Sequence, residues 1–100
     1  MSQAVRETSL ETFTANRDQF DTLKELTLFE LKNFYSEHDF WPTYNELQKY
    51  MIRKNDHVTW RTQIQPRLTS DLVDEHKVTR NGKRECHVSG ENIETWRPLQ

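Results

Sequence analysis

Apolar residues recur at helical spacing in the first half of the chain. Downstream of Asp21 they include Leu23, Leu26 and Phe34, and they fill well over half of a helix circumference. Such a distribution predicts a helix that is buried on more than one side. Asp21 is a good N-cap for this helix, and the polar residues 36–39 end it.

A helix-start signal, Thr43-x-x-Glu46, comes next. It has the spacing of a capping box, in which the Thr43 hydroxyl accepts from the first turn and Glu46 accepts from the Thr43 amide. Leu47, Tyr50 and Met51 follow at intervals of three and four residues, which predicts a short amphipathic helix.

Three apolar residues at a spacing of four predict a further helix: Ile64, Leu68 and Leu72. Its start is open. A start near His57 places Pro66 in the helix interior, where it removes a hydrogen bond and kinks the helix. A start near Thr59 or Arg61 places Pro66 in or just after the first turn, where it costs less. We favour the later start.

The dipeptide Asn81-Gly82 lies between residues 76–80 and 83–88, two runs that suit β-strands. Asn-Gly predicts a hairpin with a type I′ turn, because that turn needs two residues that tolerate positive φ. The alternation of residues 93–96 is consistent with a third strand.

Helix, turn, helix and basic hairpin, in that order, predict an α+β fold, a winged helix-turn-helix with three main helices and a C-terminal β-hairpin wing. Residues 8–16 add an N-terminal helical segment, while residues 1–7 carry no pattern and are expected to be disordered. One hundred residues suffice for one domain, which we place at residues 8–98.

Charge is unevenly distributed along a chain whose net charge is −2. Residues 1–46 hold four Lys/Arg and nine Asp/Glu, whereas residues 47–84 hold nine and four, which gives +5. Residues 85–100 return to −2. The positive block coincides with the predicted helix-turn-helix and wing, so it favours phosphate binding over scattered solvation.

Several classes of protein are disfavoured by the composition. The single cysteine, Cys86, excludes an internal disulfide and suits a reducing, cytoplasmic setting. No apolar run approaches the roughly 20 residues that span a bilayer, and the N-terminus lacks the layout of a signal peptide. We therefore expect a soluble protein that has no contact with a membrane.

No catalytic or metal-binding arrangement is legible in the sequence. Cys86 and His87 are adjacent, but neither C-x-x-C nor H-x-x-x-H spacing occurs. The two glycines, Gly82 and Gly90, form no phosphate-binding loop. We expect a protein without enzymatic activity, cofactor or metal.

A set of short motifs carries a resemblance to a known family: Pro66-Arg67-Leu68 with Leu72 and Val78, Gly82-Lys83-Arg84, Cys86-x-Val88-Ser89-Gly90 and Trp96-Arg97. Over residues 8–98 the chain resembles small winged-helix DNA-binding proteins of phages and prophages. The resemblance implies a transcriptional regulator or replication accessory that binds double-stranded DNA in the cytoplasm of a bacterial host cell.

The chain departs from that family in two places. Glu75-His76 stands where such proteins carry a glycine at the end of the recognition helix, so a residue other than glycine must adopt the left-handed conformation. The spacing from Arg67 to Leu72 is also one residue longer than usual.

On a helical wheel with the apolar residues inward, the opposite face presents Thr62, Gln63, Pro66 and Ser70, with Arg67 on its flank. Gln and Arg form bidentate pairs with base edges in the major groove, and Thr can contact a thymine methyl. Thr62, Gln63 and Arg67 are thus the predicted base contacts, Arg67 first because the resemblance also selects it. The competing interpretation is a solvated face.

The predicted contacts to the DNA backbone are Arg61, Lys77, Arg80, Lys83 and Arg84. Four of them surround Asn81-Gly82, and a hairpin tip with such charge can lie along phosphates or enter a minor groove. Protection of an exposed strand edge is the competing interpretation. Further candidates for phosphate contact are Lys49, Arg53 and Lys54.

The three tryptophans, Trp41, Trp60 and Trp96, are expected to build the core and its rim. Base stacking on Trp60 is the less favoured alternative.

Two functions from different classes fit the pattern. The first is binding of double-stranded DNA. The second is a winged helix that binds and redirects a host protein, which the acidic first 46 residues motivate. Whether the chain forms a homodimer stays open, because Leu10, Phe13 and Phe20 would serve an interface or cap the core equally well.

Overall fold

Three helices and a two-stranded antiparallel hairpin follow one another in residues 22–99, the part of the chain that this computed structural model describes. The helices are α1 (Leu23–His38), α2 (Tyr44–Lys54) and α3, the helical segment of residues 65–74 that contains Arg67–Asp71 and Leu72–Asp74. The strands are β1 (Val78–Glu85) and β2 (Asn92–Pro98). The predicted α+β class is confirmed, whereas the expectations for residues 1–16 lie outside the described residues.

The N-cap of α1 lies one residue later than predicted. Thr22, not Asp21, is the N-cap, with an extended backbone and a hydroxyl that accepts from the Glu25 amide at 3.2 Å. A capping side chain bonds the amide two or three residues ahead, so Asp21 is one position too early for a helix that starts at Leu23. Asp39 ends the helix in the left-handed conformation, as the polar stretch predicts.

The predicted capping box of α2 is confirmed. The Thr43 hydroxyl accepts from the Glu46 amide at 3.2 Å, and Glu46 Oε1 accepts from the Thr43 amide at 3.1 Å. At the other end, Asn55 donates to the Met51 carbonyl and, at 2.8 Å, to Glu30 on α1. Side-chain hydrogen bonds thus fix both ends of α2.

Helix α3 starts later than either predicted position. Thr59 and Arg61 lie in the preceding loop, and the helical backbone begins at residue 65, so Pro66 falls in the first turn as the later start predicts. Arg67–Asp71 is π-helical, and the Leu72 amide bonds the Arg67 carbonyl five residues back. A π-turn holds one more residue than an α-turn.

At the end of α3, a residue other than glycine adopts the left-handed conformation, as the sequence predicts. His76 has φ = 61°, its amide bonds the Val73 carbonyl, and the Lys77 amide bonds the Leu72 carbonyl. These two bonds form a Schellman motif, which satisfies carbonyls that the helix leaves unpaired.

The predicted turn at Asn81-Gly82 is wrong. β1 runs through both residues, which together lie opposite Thr95 as a β-bulge between the pairs Arg80↔Trp96 and Lys83↔Glu94. A type I′ turn needs positive φ at both positions, but only Gly82 has it, at 93°. A β-bulge needs positive φ at one residue only, so Asn-Gly is equally compatible with a bulge.

The chain reverses at residues 86–91 instead. The Cys86 amide bonds the Glu91 carbonyl, and the Gly90 amide bonds the Cys86 carbonyl, both at 2.8 Å. The run predicted as a third strand, residues 93–96, belongs to β2, the second strand of this hairpin.

The core joins all three helices to the hairpin. Its buried side chains are Leu26, Leu31, Phe34, Leu47, Tyr50, Met51, Val58, Ile64, Leu68, Leu72, Val78 and Trp96. The Pro42 carbonyl accepts from the Trp96 amide at 3.0 Å, which places the α1–α2 connection beside β2. Trp60 was predicted at the core or its rim, but it is 56% exposed. Among the described helices, none is both long and apolar enough to cross a membrane.

Candidate nucleic-acid interface

The structure separates the three predicted base-contacting residues. Thr62 and Gln63 lie in the loop before α3 and not on its face, because the helix begins at residue 65. The Thr62 hydroxyl accepts from the Thr59 amide at 3.1 Å, which occupies it within the loop, whereas Gln63 is exposed.

Arg67 lies on α3 and forms an ion pair with Asp71, with 2.9 Å between Nε and Oδ2. The two residues are an i, i+4 pair. Both side chains are about two-fifths exposed, and such a pair contributes only about 0.3–0.5 kcal/mol. The pair therefore opens at little cost when a stronger acceptor approaches.

Arg84 is not at a hairpin tip, because the true turn begins after β1. Its guanidinium lies between α2 and the hairpin, where Nη1 donates to Glu46 Oε2 at 2.7 Å and Nη2 donates to the second carboxylate oxygen. It also bonds the Trp41 carbonyl and covers the Phe40 ring at 4.7 Å. Arg84 is thus a cross-link of the fold.

Glu46 is the acceptor at the centre of this cross-link. Its side chain is 5% exposed and receives hydrogen bonds from Arg84, from the His87 amide and from the Thr43 amide. Burial acts to raise the pKa of Glu46, but these hydrogen bonds outweigh it and hold the pKa below the usual 4.5. The sequence revealed the capping role of Glu46 and not its pairing with Arg84.

Lys77 also forms an ion pair. Its Nζ lies 3.5 Å from Glu75, whose other carboxylate oxygen pairs with Lys24 of α1. The hydrogen bond from Lys24 lowers the pKa of Glu75 and raises that of Lys24.

Five cationic side chains of residues 47–84 form no ion pair with a carboxylate in the described part of the chain, and they are called the unpaired cations below: Lys49, Arg53, Arg61, Arg80 and Lys83. All five are exposed. They belong to α2, the loop before α3, and β1.

The surface between α3 and the hairpin holds one of these cations. Arg80 lies 6.0 Å from the centre of the Trp96 ring and lines a depression of about 340 Å³ together with Thr69 and Val73 of α3. This depression brings the exposed side of α3 and the bulged strand β1 onto one surface. A second depression, of about 170 Å³, has both Lys49 and Arg53 in its wall.

Sequence reasoning missed Gln48, which organises the loop before α3. This residue is buried, and its amide nitrogen donates to the Thr59 carbonyl at 2.8 Å and to the Thr62 carbonyl at 2.6 Å. Its amide oxygen accepts from Ile64 at 3.3 Å. A glutamine between Leu47 and the exposed Lys49 carries no sequence signal, because its partners are 11 to 16 residues away.

Metal-binding chemistry has no support in the described residues, since no cluster of three or more His, Cys, Asp or Glu side chains is placed to hold an ion there. The unpaired cations offer hydrogen-bond donors and positive charge on an exposed surface. Those are the means by which proteins bind phosphate.

Comparison with known proteins finds no match, either to a family model, to a curated protein or to a solved structure.

Proposed function

We propose that the protein binds double-stranded DNA through α3, the loop before it and the β1–β2 hairpin, arranged as a winged helix-turn-helix. The order of elements supports this arrangement, as does the bond between Pro42 and Trp96. That bond lays the α1–α2 connection along β2, where a third, short strand would lie.

The observation that carries the proposal is the set of unpaired cations. Residues 47–84 have a net charge of +5, and five of their nine Lys and Arg side chains form no ion pair within the region that the structure describes. Charges that are not neutralised inside the fold can neutralise phosphates and release counterions. A net charge of −2 for the whole chain does not oppose this local attraction.

We assign each basic or polar side chain a role in DNA binding according to its exposure. Arg80 and Lys83 on β1, and Arg61 in the loop, are available to phosphates. Gln63 precedes α3 and Arg67 begins its π-helical turn, and we assign to these two side chains the contacts with base edges. Arg84, held against the buried Glu46, is assigned to the fold, whereas the pair of Lys77 with Glu75 is as exposed as that of Arg67 and leaves Lys77 available to phosphates. By its resemblance to phage and prophage proteins, the chain would act as a transcriptional regulator or replication accessory in a bacterial cell.

A pair of matched variants tests this proposal. Lys83→Gln and Lys32→Gln each remove one exposed lysine charge, but Lys32 belongs to α1, which is not one of the elements assigned to DNA binding. Fluorescence anisotropy titrations on a labelled duplex at several salt concentrations give the slope of log K against log salt. We expect Lys83→Gln to weaken binding and to reduce that slope by about 1, and Lys32→Gln to leave both unchanged.

Equal effects of the two variants would show a general charge effect and would overturn the assigned surface. Duplex binding that is absent, or independent of salt, would overturn the DNA-binding function itself. If the chain instead retained a specific protein from nuclease-treated host lysate, the alternative function of binding a host protein would replace it.

A further inference from the structure

We propose that Trp60 and Arg61 form a pre-organised stacking site for an unpaired base, so that the preferred ligand is DNA with a single-stranded segment adjoining a duplex. The proposal rests on the proposed function and specifies its substrate class. Four features of the loop before α3 carry it.

The first feature is a tight turn that displays these two residues. The Thr62 amide donates to the Thr59 carbonyl at 3.0 Å, so Trp60 and Arg61 are the central residues of a β-turn. The two threonine hydroxyls brace it further, since they accept from the Arg61 and Thr59 amides at 3.1 Å. The turn is held by its own side chains.

The second feature is the anchoring of the turn to α2. The buried Gln48 uses both its donor and its acceptor groups on Thr59, Thr62 and Ile64. A turn fixed in this way loses little conformational freedom when it binds a ligand. Pre-organisation suits a recognition element, whereas an ordinary connecting loop does not require it.

The third feature is the exposure of the indole. Trp60 is 56% exposed, while Trp96 is buried and Trp41 is stacked on Tyr35 with 4.0 Å between ring centres. Leaving much of a large aromatic ring in water forgoes part of the free energy that its burial would supply. The braced turn therefore holds the indole where an external ring can reach it.

The fourth feature is the polarity of the surroundings, which favours a base over a protein partner. The residues that flank Trp60 are Thr59 on one side and Arg61, Thr62 and Gln63 on the other. Within residues 22–99, the other large exposed apolar side chains lie on α1, in the hairpin turn and after β2. The centre of a protein interface is an apolar cluster. A lone aromatic ring beside a cation is instead the composition of a site for single-stranded nucleic acid.

An intact duplex cannot satisfy such a site along its length, because both faces of each internal base are already stacked. An unpaired base has free π-faces, and stacking on an aromatic side chain is tolerant of sequence. Arg61 follows Trp60 in the turn and is exposed and unpaired with any carboxylate among residues 22–99, so it is available to the neighbouring phosphate. The duplex part would remain on α3 and the hairpin.

The test compares a forked DNA, with a duplex and a single-stranded arm, against the same duplex without the arm. We expect the unmodified chain to bind the fork more tightly, and Trp60→Ala to lose about tenfold or more on the fork with no change on the duplex. Trp60→Phe should keep most of the fork affinity. Leu99→Ala, which removes an exposed apolar side chain outside the turn, should change neither.

Tryptophan fluorescence supplies an independent measurement. The difference spectrum between the unmodified chain and Trp60→Phe isolates the Trp60 emission, which should be quenched when the fork is added. Circular dichroism establishes that each variant is folded.

Tight duplex binding with no preference for the fork would overturn this proposal and leave the proposed function intact. Failure to bind either DNA would overturn both. A Trp60→Ala variant that bound the fork normally but lost a protein retained from nuclease-treated lysate would overturn the base-stacking site and make the turn a protein contact.

Discussion

His76 ends α3 in a backbone conformation that glycine adopts without strain. Its φ of 61° brings Cβ close to a backbone oxygen, and the cost is about 1 kcal/mol for a residue that is not glycine. The side chain is exposed. We therefore expect His76→Gly to raise the free energy of unfolding by about 0.5–1 kcal/mol, measured from urea titrations.

The matched control is Lys77→Gly, one residue on. Lys77 is not among the positive-φ residues of the described chain, so glycine there should lower the stability through the entropy of the unfolded state. Loss of stability in both variants would contradict the strained cap at His76.

Glu46 and Arg84 show which side-chain roles can be predicted from sequence and which cannot. The capping role of Glu46 was predictable because its partner, Thr43, is three residues away. The role of Arg84 was not, because its partner is 38 residues away and only the folded hairpin brings the two together. Spacing identifies a basic residue, but the fold determines whether its charge is available.

The β-bulge of β1 is the element-scale feature that distinguishes the structure from the predicted hairpin. Gly82 has φ = 93°, and a Cβ built there meets nothing within 4 Å, so a substitution there is opposed by backbone strain alone. We expect Gly82→Ala to cost about 1 kcal/mol and Asn81→Ala to change stability by less than about 0.5 kcal/mol. Chemical denaturation of both variants gives the comparison.

A type I′ turn would place both residues at positive φ, so alanine would then be costly at Asn81 as well. Comparable losses at the two positions would thus favour the turn over the bulge.

The helices were more predictable than the hairpin for a physical reason. Caps and apolar periodicity act within a few residues, and so α1, α2 and the apolar spacing of α3 can be inferred from sequence. Asn81-Gly82 satisfies the φ requirements of two different structures, and strand pairing over residues 78–98 selects between them. The π-turn in α3 was not predicted, because the apolar spacing of Ile64, Leu68 and Leu72 indicates a helix without specifying its type.

At the scale of the molecule, three carboxylates of the described residues have a lowered pKa and join separate elements. Glu37 links α1 to Lys54 and Tyr50 of α2, while Glu46 links α2 to the hairpin. Glu75, just after α3, pairs with Lys24 of α1. Burial raises the pKa of Glu37, but the hydrogen bonds from Lys54 and Tyr50 outweigh it. The assembly of elements is therefore coupled to pH.

The sign of that coupling follows from linkage. Each of the three groups has a folded pKa below the usual 4.5, so the unfolded state binds more protons as the pH falls through that value. Their contribution is fully present above pH 4.5 and is lost as the pH falls through the folded pKa values. We expect the urea midpoint to be level near neutral pH and to fall progressively in acid.

Raising the salt concentration separates the contributions of the three carboxylates to this loss of stability in acid. Glu37 and Glu75 are 44% and 37% exposed, so about 1 M NaCl should screen most of their part. Glu46 is 5% exposed and should keep its part. At high salt, Glu46→Gln should therefore flatten the remaining dependence on pH, while Glu91→Gln, at an exposed position in the hairpin turn, should leave it unchanged. A Glu46→Gln variant as acid-sensitive as the unmodified chain would show that the contact between α2 and the hairpin does not depend on this charge.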